Sequence, residues 1–140
     1  YYFSSYALQG RHPKVETLAQ AKQLGTLGVN IGAANAIAAM RQGLGRIEMI
    51  SSNDANGRKL LVDHIQGWIT TDATVDFFTR QHGLPADALV KGLTLTDFQA
   101  WVAASPHLDA AVVAQWQTAL AAMSQDGTLQ QLAERYHIHR

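Results

Sequence analysis

The sequence has no cysteine among its 140 residues, which excludes disulfides, thiol catalysis and cysteine-based zinc sites. It also has no apolar run near the roughly 20 residues that a membrane-spanning helix needs, so membrane insertion is not expected. Neither sign of charge is in excess, because Lys plus Arg and Asp plus Glu number 11 each, and nucleic acid is therefore not an expected partner. The nucleophile motif G-x-S-x-G, the zinc motif H-E-x-x-H and the phosphate-binding P-loop are all lacking, so no motif supports enzymatic activity.

What the sequence does contain is an alternation of strand and helix patterns. Apolar residues make up 47% of the chain and charged residues 16%, which is typical of a globular domain. Short β-branched segments are each followed by a turn and then by apolar residues at helical spacing. The predicted strands cover 26–31, 46–51 and 67–71, and the helices predicted to follow them cover 33–42, 53–66 and 73–83. The pattern therefore predicts an α/β fold, with a mostly parallel sheet and helices on both of its faces.

The last third of the chain has a different pattern. Residues 84–90 are predicted to form a loop and 91–105 a long extended segment. Two helices are predicted next, the first starting near Asp109 and closed by Gly127, and the second capped by Thr128. Apolar side chains of the first helix are expected to face inward, and the three tryptophans are expected in the core. The inward set is Val113, Trp116, Leu120 and Met123, and the tryptophans are Trp68, Trp101 and Trp116.

Two strand ends carry candidate ligand-binding residues. Sheets of this kind bind ligands at the carboxyl ends of their strands, where helix N-termini present N–H groups. After the first predicted strand, Gly32 lets the backbone approach a ligand, and free N–H groups of Ala33 and Ala34 are expected to hold a carboxylate or a phosphate. After the third, Asp72 offers a negative charge. One corner favours an anion and the other a cation, which suits a zwitterion such as an amino acid.

Each of these features also has a simpler structural explanation. Asp72 could be only the N-cap of the helix that follows it, because helix starts favour Asp. Gly32 could be an ordinary turn glycine. His137 and His139, near the C-terminus, form an H-x-H pair. Residues two apart do not share a helix face, however, so no metal site is expected there.

The order of these elements resembles the second half of the family 3 extracellular solute-binding proteins, which are the amino-acid-binding components of ABC transporters. The most specific match is the end of the chain, "AVVAQWQTALAAMSQDGTLQQLAERYHI". The segment "LGVNIGAANA" is similar to the family's strand, turn and helix, and "RKLLVDHIQGWITTDATVDFF" to its second motif, with Gln66 and Gly67 where Asp and Ala are usual. The first 25 residues look, more loosely, like the crossover strand and the helix before the second lobe.

The resemblance implies a non-enzymatic solute-binding protein without a cofactor, whose two lobes close on an amino acid by a hinge motion. It also implies a periplasmic location, with a signal peptide outside the visible chain, and an ABC transporter permease as partner. In the family, the acid that follows the second motif binds the ligand's α-ammonium, and the turn of the first motif donates N–H groups to its carboxylate. Ala33 stands where the family often has a Ser or Thr hydroxyl, which leaves Asn35 as a substitute. The implied ligand-binding residues are Gly32, Ala33, Ala34, Asn35, Thr71 and Asp72.

Only the later part of that family's fold is represented. Residues 1–104 correspond to the second lobe with its crossover strands, and 105–140 to C-terminal helices that in the family pack toward the first lobe. Without that lobe their apolar faces would be uncovered, which is unfavourable for a stable monomer. The chain, which does not begin with Met, is then a fragment, a homodimer that swaps its terminal helices, or a protein that docks on another, and we favour the homodimer. An enzyme resembling the cyclohexadienyl dehydratases, and a sensory or structural module that has lost ligand binding, are the functional alternatives.

Overall fold

The computed structural model describes residues 2–97, 101–136 and 138, in which the chain forms five strands and six helices. The chain divides into two compact units, residues 1–98 and 99–140. The strands are β1 (Tyr2–Leu8), β2 (Thr26–Asn30), β3 (Arg46–Ile50), β4 (Gly67–Thr70) and β5 (Leu89–Asp97). The helices are α1 (Leu18–Gln23), α2 (Ala34–Arg41), α3 (Asn53–Leu61), α4 (Asp72–Gln81), α5 (Ala110–Gln125) and α6 (Thr128–Arg135).

The five strands of the first unit form one sheet in the order β3-β2-β4-β1-β5. Strand β2 runs parallel to both β3 and β4, whereas β1 is antiparallel to both β4 and β5. Four strands therefore point in one direction and β1 in the other. In β1, Tyr6 lies opposite Trp68 of β4 on one side and Lys91 of β5 on the other. The predicted α/β class with a mostly parallel sheet is confirmed.

Helices cover both faces of this sheet, as predicted. On one face α1 and α2 pack against β2 and β4, and the buried contacts include Ala36, Val29 and Ile69. On the other face α3 and α4 pack over Trp68, which is fully buried and meets the ring of Phe78 edge to face, with the centroids 5.7 Å apart. Neighbours in a strand point to opposite faces, which explains how Trp68 and Ile69 enter separate cores. A fully buried tryptophan of this kind contributes about 3–5 kcal/mol, judged by the usual cost of truncating it.

Side-chain caps fix where three helices of the first unit begin. At α1, the Oγ1 of Thr17 accepts from the backbone N–H of Gln20, and the side chain of Gln20 accepts from the backbone N–H of Thr17. The two bonds together form a capping box. The Oγ of Ser52 accepts from the N–H of Ala55 at 3.1 Å at the start of α3. The Oγ1 of Thr71 accepts from the N–H of Thr74 at the start of α4. Each such cap is worth about 1 kcal/mol.

Two predicted boundaries were wrong. Helix α3 ends at Leu61 and not at residue 66, because Asp63 adopts a left-handed conformation with φ of 62°, which stops a right-handed helix and is tolerated best by Asp, Asn and Gly. Ile65 is nevertheless fully buried, so the apolar spacing that suggested a longer helix came from a core residue beyond its end. Strand β5 begins at Leu89, inside the predicted loop, because Leu89 pairs with Leu8 of β1.

In the second unit, α5 begins where predicted and α6 does not have its predicted cap. The side chain of Asp109 accepts from the N–H of Ala111 at 2.7 Å. Gly127 has φ of 83° and follows the end of α5, as expected of a C-terminal glycine. Thr128 is the first residue of α6 and not its N-cap, since Gly127 holds the cap position. The N–H of Thr128 donates instead to Oδ1 of Asp126 at 2.9 Å.

The core prediction fails for two of the three tryptophans. Trp68 is buried, but Trp101 is 82% exposed and Trp116 is 59% exposed. Val113, Leu120 and Met123 are only partly buried, and neither α5 nor α6 has a buried residue. Two helices alone offer no second layer on which such side chains can be buried.

The extended segment predicted for 91–105 is found only as far as Asp97, in β5. Residues 98–100 lie outside the described residues, and 101–105 form no regular element.

In the described part of the chain, no helix has both the length and the apolar content to cross a bilayer.

Candidate functional site

The predicted ligand-binding corners lie at one edge of the sheet. Strands β2, β3 and β4 are parallel, so their carboxyl ends share an edge. Helices α2, α3 and α4 begin directly beyond these ends, which places three helix N-termini along the same edge. Strands β2 and β4 are neighbours, and the residues that follow them are Gly32 and Asp72 with their flanks. Parallel strands of this type form ligand-binding edges because the N–H groups of the following helices point outward there.

Asp72 is not the N-cap of α4, so the simple capping explanation was wrong. Thr71 holds that position, with its Oγ1 3.3 Å from the backbone nitrogen of Thr74 and 2.9 Å from the Oγ1 of the same residue. Asp72 is the first residue of the helix. Its carboxylate is therefore not needed for the cap and interacts with side chains from the sheet.

Two strand residues hold the carboxylate of Asp72. The hydroxyl of Tyr6, in β1, donates to Oδ1. The Nζ of Lys91, in β5, donates to Oδ2 at 2.7 Å. Tyr6 and Lys91 are cross-strand partners, so the register between β1 and β5 brings both donors beside α4. The sequence did not indicate Tyr6 or Lys91 as site residues, because contacts between residues 66 or 19 positions apart leave no local pattern.

The surroundings of Tyr6 keep its hydroxyl protonated. Burial raises the pKa of Tyr6 strongly, and the hydrogen bond to Asp72 together with the negative charges of Asp72 and Asp76 raises it further. Tyr6 is therefore a neutral donor throughout the physiological pH range. The Asp72 side chain is 23% exposed and that of Lys91 43% exposed, so both members of the ion pair are accessible to water.

The second corner is the turn between β2 and α2. Gly32 has φ of 69°, a conformation that favours glycine, and a Cβ there would meet no atom within 4 Å. The N–H of Ala33 donates to the backbone oxygen of Asn30 at 3.3 Å, so the expectation that it is free was wrong. Helix α2 has no side-chain cap, and within the described residues the N–H of exposed Ala34 donates to no acceptor. This helix start therefore retains the hydrogen-bonding capacity and the partial positive charge of an uncapped N-terminus.

Asn35 lies in the core and not at the edge. Its side chain is buried, and Nδ2 donates to the backbone oxygen of Ile69 at 2.6 Å. Its Oδ1 is also buried and has no hydrogen-bond partner among the described residues. The residue thus joins α2 to β4 and orients the uncapped helix start.

A pocket of about 300 Å³ lies between α3 and α4, next to the edge. Its walls include the exposed ring of Phe77, Thr74 and the carboxylate of Asp54. Hydrogen bonds from Arg58 and then from His82, whose Nε2 is 2.7 Å from Oδ1, lower the pKa of Asp54. The charge of Asp54 is therefore already compensated within the protein.

Possible metal ligands are scattered in the described part of the chain. Across 2–97, 101–136 and 138, no three His, Asp or Glu side chains converge as metal ligands would. His137 and His139, the H-x-H pair of the C-terminus, lie outside the described residues. The edge offers one carboxylate held by two donors, and one uncapped helix start on the neighbouring strand. Such an arrangement can bind a molecule that carries separate positive and negative groups.

No family model and no curated protein sequence matches the chain, but several solved structures do. An ancestral arginine-binding protein bound to glutamine superposes with a TM-score of 0.77 at 15% identity, over 99% of this chain and 60% of that one. The ancestral amino-acid-binding protein AncCDT-1, a precursor of cyclohexadienyl dehydratase, has a TM-score of 0.71 at 12% identity, over 96% of this chain and 56% of that one. Domain 2 from TmArgBP has a TM-score of 0.54 at 13% identity, over 64% of this chain and 92% of that domain.

These likenesses establish the fold. The chain spans about three fifths of the length of the first two of these proteins. About two thirds of the chain matches nearly the whole of the third, which is an isolated domain 2. Identities of this size carry the fold and not the ligand. In its architecture the chain is thus an α/β protein with the fold of the periplasmic amino-acid-binding proteins.

Proposed function

We propose that this chain is a solute-binding lobe that holds a small zwitterion such as an amino acid, for ABC-type uptake in the periplasm. The observation that carries the proposal is the edge itself. The carboxylate of Asp72 and the uncapped start of α2 follow two neighbouring parallel strands, β4 and β2. The proteins of the same fold support it, since one is an arginine-binding protein bound to glutamine and another is an amino-acid-binding protein.

In this proposal the two corners bind the two charged ends of the ligand. The carboxylate of Asp72, with Thr71 beside it, receives the α-ammonium. The backbone from Gly32 to Ala34 receives the α-carboxylate, with the N–H of Ala34 as the donor that the protein leaves unused. A carboxylate at a helix N-terminus gains about 0.3–1 kcal/mol from the helix dipole, and up to about 2 kcal/mol where the site is partly buried. Asn35 contributes by orienting α2.

We further propose how the two parts of the chain correspond to a complete solute-binding protein. We assign residues 1–104 to the second lobe and 105–140 to helices that cover either a first lobe or a second copy of this chain. Large exposed side chains in the second unit, Trp101 and Trp116 among them, favour such a cover. Sedimentation velocity on the 140-residue chain tests the homodimer, which predicts twice the monomer mass of 15.2 kDa; a monomer at all concentrations contradicts it.

Titration followed by NMR tests ligand binding at the edge. The ¹⁵N-labelled chain is titrated with L-glutamine and L-arginine, and the amide signals of Ala34 and Asp72 are expected to shift together. N-acetyl-L-glutamine, which lacks the ammonium, is expected to shift the amide signal of Ala34 without causing a saturable shift of the amide signal of Asp72. The Asp72→Asn variant is expected to lose saturable binding and to stay folded, because Thr71 still caps the helix, although its melting temperature falls as the contacts with Tyr6 and Lys91 weaken. Shifts that avoid both corners, or none at millimolar ligand, contradict the proposal.

An enzyme on the same fold is the second candidate. It is supported by the likeness to a precursor of cyclohexadienyl dehydratase. Such an enzyme needs a general acid beside its substrate, and in the described edge Tyr6 keeps its proton, which disfavours that role. Incubation with prephenate and with arogenate, followed by absorbance of the aromatic product, separates the candidates: conversion supports the enzyme, and its absence leaves the binding role.

A further inference from the structure

The ion pair between Lys91 and Asp72 has the chemistry of the interaction proposed for the ligand. An alkylammonium, the Nζ of Lys91, lies 2.7 Å from Oδ2 of the carboxylate. The α-ammonium of an amino acid is also a primary alkylammonium with three N–H donors. Oδ2 of Asp72 is therefore already bound by an alkylammonium of the protein itself. This is the same kind of group that the ligand is proposed to bring to it.

The two donors on Asp72 differ in how easily they leave. Tyr6 is 3% exposed and packs in the core with Trp68 and Phe78, so its hydroxyl stays at Oδ1. The Lys91 side chain is 43% exposed, and its flexible stem allows the ammonium to return to water. A half-exposed ion pair is weak, because water and salt screen it and holding the long side chain costs entropy. Tyr6 fixes the carboxylate, while Lys91 is the exchangeable partner.

We propose that Lys91 is an internal competitor that occupies Asp72 in the unliganded protein and must be displaced by the ligand's ammonium. The inference rests on the proposed function. The measured affinity is then the intrinsic affinity reduced by the fraction of molecules in which Lys91 has left the carboxylate. A cation that binds Asp72 only weakly therefore does not displace Lys91. When no ligand is bound, Lys91 compensates the negative charge of the Asp72 carboxylate.

The substitution Lys91→Met removes the ammonium and retains most of the stem. Binding of L-glutamine, measured by isothermal titration calorimetry on the 140-residue chain, is expected to tighten about twofold to fivefold, as the loss of one screened ion pair implies. The matched control is Lys59→Met, which removes a lysine of similar exposure that pairs with Glu48, between α3 and β3. That variant is expected to bind as the original chain does.

A second measurement distinguishes displacement from a general change of charge. Lys91 and Lys59 are acetylated with a limiting amount of an amine-reactive ester, and the modified peptides are quantified by mass spectrometry. Because the amine of L-glutamine also consumes ester, the readout is the ratio of Lys91 to Lys59 acetylation, which saturating L-glutamine is expected to raise. Asp72→Asn is expected to raise the reaction of Lys91 without any ligand.

The outcomes separate the inference from the function on which it rests. If the original chain binds L-glutamine and Lys91→Met binds it equally or more weakly, the competitor role is overturned and the proposed function stands. Tighter binding in Lys91→Met with no ligand-dependent change in Lys91 acetylation also overturns displacement, since the effect is then one of net charge. If neither protein binds L-glutamine or L-arginine, the proposed function fails, and the inference fails with it.

Discussion

The side-chain amide of Asn35 in α2 donates to the backbone oxygen of Ile69 in β4, with 2.6 Å between nitrogen and oxygen. Both residues are buried, so water cannot replace the bond. It joins the helix that begins at one corner of the edge to the strand that ends at the other. The bond therefore acts with the pairing of β2 and β4 and the packing of α2 to set the relative position of the two corners.

Replacing Asn35 by Ala is expected to lower the free energy of unfolding by about 1–3 kcal/mol, because the oxygen of Ile69 is left buried without a donor. Urea denaturation followed by the fluorescence of buried Trp68 measures the loss. Asn53→Ala, at the exposed start of α3, is the control and is expected to change stability by less than about 0.5 kcal/mol. Equal stability of the two variants would contradict the role assigned to Asn35.

Replacing Tyr6 by Phe keeps the ring in the core and removes the donor to Asp72. We expect a loss of about 0.5–1.5 kcal/mol at neutral pH. The change of folding stability at alkaline pH is the sharper test. The pKa of Tyr6 is raised in the folded protein, so above the ordinary tyrosine pKa of about 10 the unfolded chain loses a proton that the folded chain retains, and stability falls as pH rises. Tyr6→Phe is expected to lose less stability between neutral and alkaline pH than the original chain; parallel curves would refute this.

The interaction of Asp54 with Arg58 and His82 predicts an acid-dependent effect. Because these partners lower the pKa of Asp54 in the folded state, their contribution is present above the unfolded pKa and is lost as pH falls through the folded value. Asp54→Asn is expected to melt at a lower temperature than the original chain at neutral pH and at nearly the same temperature in strong acid. Asp87→Asn, on an exposed loop, serves as the control. A melting difference that persists unchanged in acid would exclude the ionised carboxylate as its cause.

Gly57 in α3 permits the close approach of α4. A Cβ at this position would overlap the ring of Phe78, so Gly57→Ala is expected to cost about 1–3 kcal/mol even though alanine favours helices. The double variant Gly57→Ala with Phe78→Leu tests the cause, because a smaller side chain at 78 removes the overlap. A double-mutant cycle by urea denaturation is expected to show a favourable coupling energy. Additive losses would mean that the clash is not with Phe78.

The sequence predicted elements whose signals are local. Short β-branched segments located β2, β3 and β4, and apolar residues at helical spacing located the helices that follow them. A single residue with a special backbone requirement, Gly127, marked the end of α5. These features depend on the few residues around them, so a short window of sequence contains the information.

The parts that could not be predicted depend on contacts between distant residues. Asp72 was identified as the acid at the edge, but its partners Tyr6 and Lys91 become neighbours only through the register of β1 and β5. Asn35 was expected to replace the ligand-binding hydroxyl that Ala33 lacks, and only the packing of α2 on β4 reveals that its amide is buried. Apolar spacing likewise could not tell that Ile65 enters the core after the helix has ended.

The position of β1 between β4 and β5 has a consequence for folding of the protein. Its backbone groups pair with residues 68–70 on one side and as far along as Asp97 on the other. During folding, the chain must bring these distant segments together before β1 is paired on both sides. An exposed strand with unpaired backbone is prone to associate with other chains. The stage before β5 has joined β1 is therefore the one at which this chain is most prone to aggregate.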